Sequence, residues 1–198
     1  MKNLTPAILF IATMAGTPSC KKEIIGEGPV ITETRYISGF NAIELQMNGN
    51  VYYTNDPVSK VEITAKESIH PMLETRVINN RLVVRYSNGK TYDADESIRI
   101  TVYSPAVNRF ELNSSGSIYS ASAIHQAAIV AHTNGSGNIQ LQSIETDKID
   151  VESNVSGRVT IYGGITLQGK VKTDGSGKID IAAVTAKKIN ARIIGSAI

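Results

Sequence analysis

Residues 134–161 read NGSGNIQLQSIETDKIDVESNVSGRVTI, and the pattern in this stretch decides the fold class. The dipeptide Ser-Gly stands at residues 136–137 and 156–157, each time followed by alternating apolar residues. It also stands at residues 115–116 and 176–177, so the spacing between successive copies is almost constant. A constant period with strand-type alternation predicts a β-solenoid, because each coil buries its apolar face only when the next coil stacks on it.

Aligning the copies on the serine of this dipeptide gives columns of equivalent residues. Two mostly apolar columns are predicted to face a core. They contain Ile118, Ile139, Val159 and Ile179, and Ser120, Leu141, Ile161 and Ile181. Two polar columns are predicted to meet water or a turn, and they contain Asn113, Asn134, Asn154 and Asp174, and Ser117, Asn138, Arg158 and Lys178.

The asparagine and glycine columns predict how the coils meet. We expect the asparagines to stack as an amide ladder, with equivalent residues ~4.8 Å apart. We expect the glycines to form a second file at bends, where the backbone needs a positive φ or where coils approach closely. The alternative is a meander or sandwich of four similar hairpins, in which equivalent residues would not share a parallel register.

Composition and the first half of the chain indicate the same fold class. Trp is absent, Phe occurs three times and Gly 16 times, and Val, Ile, Thr and Tyr are frequent, which favours strands and turns. Strand-like segments lie at residues 42–47, 51–54, 61–65, 81–86 and 98–103. Residues 67–77 hint at a helix, which Pro71 limits to a turn or two. An all-β protein is therefore predicted.

The first thirty residues have the layout of an export signal followed by a tether. Lys2 precedes an apolar run at residues 7–15 that is too short to span a membrane. Cys20, the single cysteine, stands where a lipoprotein signal peptidase would leave it for acylation, although Thr17 departs from the usual leucine. We predict a signal peptide at 1–19, a lipidated tether at 20–30 and a β-helix domain at 31–198, without an internal disulfide. The alternative is a stray cysteine in a cleaved peptide.

The ionisable residues match no familiar catalytic or metal site. Twenty Lys and Arg against 18 Asp and Glu give a net charge of +2 with interspersed signs, so nucleic acid is not an expected partner. The histidines lie in unlike contexts and are interpreted as surface or partly buried structural residues: His70, His125 and His132. The acidic cluster Asp93, Asp95 and Glu96 lacks the pattern of a calcium loop and is interpreted as solvated.

Alternation along two strands predicts which side chains face outward. Lys148, Asp150 and Glu152 share one face, as a solenoid polysaccharide lyase would require. The equivalent positions one coil away carry no matching acid pair, so we predict a mixed-charge outer face. Tyr52 and Tyr53 must face opposite ways, so that one is core and the other could stack on a sugar ring. No catalytic residue, metal site or cofactor is predicted.

Six short blocks in the first part of the chain stand in a recognisable order. They are ISGFNAI at 37–43, NGNVY at 48–52, VEITA at 61–65, NRLVV at 80–84, VYSP at 102–105 and FELNSSGSI at 110–118. Together they resemble the putative auto-transporter adhesin, head GIN domain family. The resemblance implies a single-stranded right-handed β-helix in a lipoprotein or secreted protein of a Gram-negative bacterium. The C-terminal half of that β-helix is expected to contain about 20 residues per coil, as the repeat indicates. The biochemical role of the family is largely unassigned.

These observations favour a non-enzymatic cell-envelope lipoprotein of the outer membrane, facing the periplasm or the surface. Its β-helix would be a platform for adhesion or for a glycan or protein ligand, and it would meet the membrane only through the lipid on Cys20. Two alternatives stay open: a carbohydrate-active enzyme of lyase or glycosidase type, and a structural assembly protein that forms homo-oligomers through its uncapped last coil. Residues 195–198 fall in the middle of a coil, so we expect either a truncated C-terminus or an edge that meets a partner.

Overall fold

The computed structural model describes residues 26–87 and 98–195, and within them the chain is almost entirely β-structure. The described strands are β1 (Val30–Arg35), β2 (Ala42–Leu45), β3 (Asn50–Thr54), β4 (Lys60–Lys66), β5 (Leu73–Ile78), β6 (Arg81–Tyr86), β7 (Arg99–Tyr103), β8 (Arg109–Leu112), β9 (Ser117–His125), β10 (Ala128–Thr133), β11 (Asn138–Val155), β12 (Arg158–Ile161), β13 (Gly164–Gly175), β14 (Lys178–Asp180) and β15 (Val184–Ile194). A 3₁₀ helix, η1 (Glu67–Met72), contains Pro71, as the sequence predicts. The prediction of an all-β protein is confirmed.

The strands form one sheet that is folded into a solenoid with three sides. Side A contains, in spatial order, β6, β2, β8, β10, the second part of β11, β13 and β15. Side B contains β7, β3, β9, the first part of β11, β12 and β14. The third side is formed where β9, β11, β13 and β15 continue around a corner.

Parallel register confirms the solenoid and its period, and rules out the hairpin array. Val130 of β10 pairs with Asp150 of β11, and Asp150 pairs with Lys170 of β13, so that each partner lies one period further along the chain. Between β8 and β10 the offset is longer by a single residue, since Arg109 pairs with Val130. These offsets equal the spacing of the Ser-Gly copies, including the longer first interval. The right hand of the coil stays a prediction.

The predicted apolar columns fill the interior. Ile118, Ile139 and Val159 are fully buried, and Ile179 is partly buried. Ile179 is more open because β14 pairs with β12 alone, so that no strand described on side B covers it. The second column is buried in the same way at Ser120, Leu141 and Ile161. Removal of these side chains from water, at roughly 25 cal/mol per Å² of apolar surface, is the main force that stacks the coils.

An amide ladder runs along the corner between sides A and B, as predicted. Asn134 Nδ2 donates to Asn113 Oδ1 at 2.9 Å, and Asn154 Nδ2 donates to Asn134 Oδ1 at 2.7 Å. At one end, Asn113 Nδ2 donates to Glu44 Oε1 at 2.7 Å. At the other end Asp174 pairs in register with Asn154, whose Oδ1 is buried without a hydrogen-bond partner among the described residues. A carboxylate cannot donate to that oxygen, so the ladder stops there.

The second polar column meets water only in its later members. Arg158 and Lys178 are exposed, as predicted, whereas Ser117 is buried. Its hydroxyl accepts a hydrogen bond from the Asn138 amide of the next coil at 3.5 Å, and this neighbour covers it.

The glycine file exists because coils approach closely. A Cβ on Gly137 would overlap the carbonyl oxygen of Gly116 in the preceding coil. Positive φ values occur instead in a neighbouring file, at Val155 (69°), Gly175 (100°) and Gly195 (108°). Of the two reasons expected for the Ser-Gly glycines, close approach is the one that applies.

Antiparallel strands close the N-terminal end of the solenoid. β4 pairs antiparallel with β7 and β1 with β4, while β5 pairs antiparallel with β6. Arg35 at the end of β1 holds η1 and the start of β5 at this end, because it donates to the carbonyls of His70 (3.2 Å) and Leu73 (2.8 Å). The pKa of Glu33 is lowered, chiefly by its hydrogen bond from Arg35, so this pair is ionised in the folded protein.

The first coil in sequence is not the first in space. Ala42 of β2 pairs with Arg81 of β6 on one side and with Arg109 of β8 on the other. After β2 and β3, the chain therefore forms β4 to β7 at the N-terminal end of the solenoid. It then forms β8, which pairs with β2 on the side opposite to β6.

β15 is the last described strand of side A and lies largely open. Ile189 and Ile193 occupy inward columns, in register with Gly169 and Thr173, yet they are 39% and 66% exposed. The expected truncation or partner contact concerns residues up to 198, and residues 196–198 lie outside the described part of the chain.

Candidate functional site

The outer surface of side B, extended by the antiparallel strands β4 and β1, collects tyrosines, and we call it the tyrosine face: Tyr52, Tyr103, Tyr119 and Tyr162, together with Tyr36, which follows β1 and interacts electrostatically with Lys60. Tyr52 pairs in register with Tyr119, and Tyr119 pairs with Gln140 of the next coil. Tyr162 donates its hydroxyl hydrogen bond to Gln140 Oε1 at 3.0 Å, which joins it to the same column. Five of the eight tyrosines of the chain thus share one surface.

Strand alternation places these rings outside. In β3, Val51 and Tyr53 are buried and Tyr52 between them faces outward. The Tyr53 hydroxyl donates to the carbonyl of Ser104 at 2.9 Å, and its ring meets Phe110 edge to face at 5.6 Å between centroids. One tyrosine of the pair is therefore core and the other outward, as predicted.

Tyr52 lies between two other groups. Its ring stacks on Tyr119 with centroids 5.2 Å apart and an angle of 18° between planes. The Arg99 guanidinium carbon lies 3.9 Å from the Tyr52 centroid, in cation–π geometry. Because both neighbours occupy its flat surfaces, Tyr52 is not free to stack on a sugar ring, and this part of the sequence expectation is wrong.

A second cluster lies beside this stack. Lys60 Nζ contacts Glu62 Oε1 at 2.6 Å, and the Tyr103 hydroxyl donates to Glu62 Oε2 at 3.0 Å. Lys60 Nζ also lies 4.5 Å from the centre of the Tyr103 ring. Burial, and then the hydrogen bond to Glu62, raise the pKa of Tyr103, while the hydrogen bond from Lys60 lowers the pKa of Glu62. Tyr103 is therefore a neutral donor held in one orientation.

The tyrosine face is suited to binding. Tyr36 is 80% exposed and Tyr162 53% exposed, so both offer apolar ring surface and a hydroxyl to a ligand. Tyrosine and arginine are enriched at the centres of protein interfaces because they bury much surface and form hydrogen bonds at low entropic cost. The rigid sheet beneath holds Tyr52 and Tyr103 in fixed positions before any ligand arrives.

The outer surface of side A carries the mixed charges that the sequence predicts. Asp150 contacts Lys170 Nζ at 3.2 Å, and Glu152 contacts Lys172 Nζ at 2.5 Å, each from one coil to the next. The hydrogen bond from Lys172 lowers the pKa of Glu152. Both carboxylates are thus held by ammonium groups, and Lys148 lies in register with Gln168, away from these pairs.

The three histidines lie apart. His70 is buried, with Nε2 3.3 Å from the carbonyl oxygens of Ile31 and Ala65. His125 Nδ1 lies 2.9 Å from Glu145 Oε2 on the third side, and His132 lies 3.4 Å from Asp150 on side A. Within residues 26–87 and 98–195, His, Cys, Asp and Glu form no group of three that could hold a metal ion.

Two predicted features lie outside the described residues: Cys20 with the signal peptide and most of the tether, and the acidic cluster Asp93, Asp95 and Glu96. For the part of the chain that is described, no helix has the length and hydropathy needed to cross a bilayer.

The sequence interpretation missed most of the tyrosine face. A signal was present, because NGNVYY at 48–53 has the same pattern as SGSIYS at 115–120. The structure pairs these two segments from Asn50 with Ser117 to Tyr53 with Ser120. Extending the repeat back to Gly49 would have placed Tyr52 beside Tyr119.

The fold places the chain in the class of parallel β-solenoids, and solved structures share this architecture. A putative adhesin from Bacteroides fragilis NCTC 9343 has a TM-score of 0.76 at 22% identity, over 86% of this chain and 79% of that chain. A putative lipid binding protein from Parabacteroides distasonis ATCC 8503 has a TM-score of 0.69 at 21% identity, over 87% and 81%. A putative adhesin from the same organism has 0.68 at 19%, over 86% and 80%. At these identities the likeness shows the fold alone.

Residues 39–198 match the family described as putative auto-transporter adhesin, head GIN domain. This match spans most of the sequence, so the chain belongs to that family, as the order of its blocks predicts. No curated protein is detectably similar in sequence. Membership of an adhesin family indicates a protein of the cell surface or envelope.

Proposed function

We propose that the chain is a non-enzymatic lipoprotein of the cell envelope, anchored through Cys20 at the outer membrane, whose β-solenoid presents the tyrosine face to a glycan or protein ligand. The observation that carries this proposal is the gathering of five tyrosines on one rigid surface, two of them more than half exposed. The adhesin description of the family agrees with a binding role.

The carboxylates also favour binding over hydrolysis. A glycosidase or lyase needs an acid and a base that converge on one substrate bond. On side A, Asp150 and Glu152 are engaged by Lys170 and Lys172, and on the tyrosine face Glu62 is engaged by Lys60 and Tyr103. In each pair the carboxylate is held in one orientation and its charge is neutralised, as expected for a binding platform.

The ligand-binding role is tested on a printed array of uncharged glycans and extracellular matrix proteins. We expect the domain to bind a defined subset, and the double variant Tyr36→Ala/Tyr162→Ala to bind that subset about tenfold more weakly, since each exposed ring contributes about 0.5–1.5 kcal/mol. The matched control Ile165→Ala/Leu167→Ala removes exposed side chains from the third side and should bind as the wild type does. Equal loss in both variants, or an array without any signal, contradicts the proposal.

The anchor is tested separately by fractionating cells that express the full chain. The wild type should sediment with membranes, and Cys20→Ala should be released or keep its signal peptide. Identical fractionation of both proteins removes the lipid anchor from the proposal and leaves the binding role untouched.

A further inference from the structure

The last coils carry an excess of positive charge. Residues 158–195 contain seven Lys and Arg and two Asp, a net charge of +5. The described residues before them, 26–87 and 98–157, contain nine Lys and Arg and twelve Asp and Glu, a net charge of −3. The near-neutral total of the chain therefore conceals a charge separation along the solenoid axis.

On side A these cations belong to an ordered array that we call the donor grid: Gln168, Lys170 and Lys172 of β13 and Lys188, Asn190 and Arg192 of β15. Register places Gln168 beside Lys188, Lys170 beside Asn190, and Lys172 beside Arg192. All six positions face outward on two adjacent strands. Their side chains supply four cations and two amides, and no carboxylate stands among them.

The cations of the grid differ in how they are neutralised. Lys170 and Lys172 contact Asp150 and Glu152 of the coil below. Lys188 and Arg192 form no ion pair within the described residues. A groove of about 310 Å³ is lined by Lys170, Lys172, Asn190 and Arg192, with Val171 and Ala191 also in its lining. The β15 residues of the grid, Lys188, Asn190 and Arg192, are thus exposed donors. The groove beside Asn190 and Arg192 has room for an acceptor group.

We propose that the donor grid binds an acidic polysaccharide through its carboxylate or sulfate groups. Lys172 and Arg192 stand one strand spacing apart, ~4.8 Å, and neighbours along a strand stand ~6.6 Å apart. One anionic group can therefore be shared by Lys172 and Arg192, with the guanidinium able to bind it in bidentate fashion. Gln168 and Asn190 are suited to sugar hydroxyls, which need neutral donors and acceptors.

The position of the grid favours a polymer outside the membrane. Residues 26–30 contact the opposite end of the solenoid, where Glu67 N donates to the carbonyl of Pro29 at 3.0 Å. β15 lies six strand spacings from β6, roughly 29 Å. This step rests on the proposed function, because an anchor at Cys20 holds that opposite end at the membrane and directs the grid away from it.

The experiment measures binding of the purified domain to three probes: heparin as a sulfated polymer, polygalacturonate as a carboxylated polymer, and vesicles of phosphatidylglycerol and phosphatidylcholine. The variant is Lys188→Gln/Arg192→Gln. The matched control is Arg158→Gln/Lys178→Gln, which removes the same charge from the same end of the chain, on side B. All four sites are exposed, and melting curves verify that each protein is folded.

We expect binding to at least one polysaccharide that weakens with salt, falls about tenfold in the grid variant and less than threefold in the control. Equal losses in both variants show nonspecific attraction and overturn the site. Binding to vesicles in preference to both polymers assigns the grid to a membrane and overturns the ligand class. The Tyr36→Ala/Tyr162→Ala variant should bind these polymers as the wild type does, so failure here is distinct from failure of the tyrosine face.

Discussion

Glu44 offers a sharp test of how the coils are held together. Its buried carboxylate accepts hydrogen bonds from Gln46 just after its own strand (2.6 Å), from Asn113 just after β8 (2.7 Å) and from Arg81 of β6 (2.8 Å). Glu44→Gln keeps the size of the side chain and removes its charge. Hydrogen bonds to a charged group contribute about 1.5–3 kcal/mol and neutral ones about 0.5–1.5 kcal/mol. Because Arg81 is 38% exposed and can rehydrate, we expect a loss of about 1–2 kcal/mol in the free energy of unfolding at pH 7.

The pH dependence of this loss follows from the pKa of Glu44. Burial by itself raises that pKa, but the hydrogen bonds from Gln46, Arg81 and Asn113 together outweigh it, and the pKa lies below its ordinary value. A carboxyl with a lowered pKa in the folded state stabilises the protein above its unfolded pKa. This contribution disappears as the pH falls through the folded value. The difference between Glu44→Gln and the wild type should therefore be full at pH 7 and shrink in acid.

Urea denaturation at pH 7, 5, 4 and 3 measures both effects. The matched control is Glu74→Gln, which removes a partly exposed carboxylate that pairs with Arg85 and Arg76 and should lower the free energy of unfolding by less than about 1 kcal/mol. A Glu44→Gln protein as stable as the wild type at pH 7, or one whose deficit persists unchanged at pH 3, would refute the reasoning.

Three further substitutions probe the columns. Val159→Asp places an unpaired charge in a fully buried position and should cost roughly 3–5 kcal/mol in urea titrations; an unchanged midpoint would remove Val159 from the core. Gly137→Ala should lower the melting temperature, with a cost above about 1 kcal/mol, because its methyl would overlap the Gly116 carbonyl. Asp174→Asn should raise the free energy of unfolding by about 0.5–1.5 kcal/mol, since an amide can donate to Asn154 Oδ1, and a decrease would show that the ladder is not limited by that oxygen.

The repeat predicts the C-terminal half down to individual neighbours. One constant period sets the register of a parallel solenoid, so the stacking of Asn134 on Asn113 and the outward position of Asp150 follow from counting. The same period places Lys170 and Lys172 one coil away from Asp150 and Glu152, and the lysine side chains are long enough to form the ion pairs.

The N-terminal half could not be predicted in the same way. The pairing of Tyr52 with Tyr119 spans the excursion that contains β4 to β7 and η1. Local alternation predicts that Tyr52 and Tyr53 face opposite ways, but it does not identify the neighbour of the outward ring. The tyrosine face depends on that neighbour, and also on the antiparallel strands that bring Tyr103 beside Lys60.

The threading of the first coil has a consequence for how the chain acquires its structure. From β10 onward, strands that pair are separated in sequence by a single coil. Ala42, by contrast, pairs with Arg81 and Arg109, which follow much later in the chain. Contacts that are distant in sequence form more slowly because more chain entropy is lost before they bring any gain. During synthesis β2 therefore emerges well before its partners β6 and β8, and the coils made last are the ones best able to nucleate. Assembly is expected to run from the late coils back toward the antiparallel end, against the direction of translation.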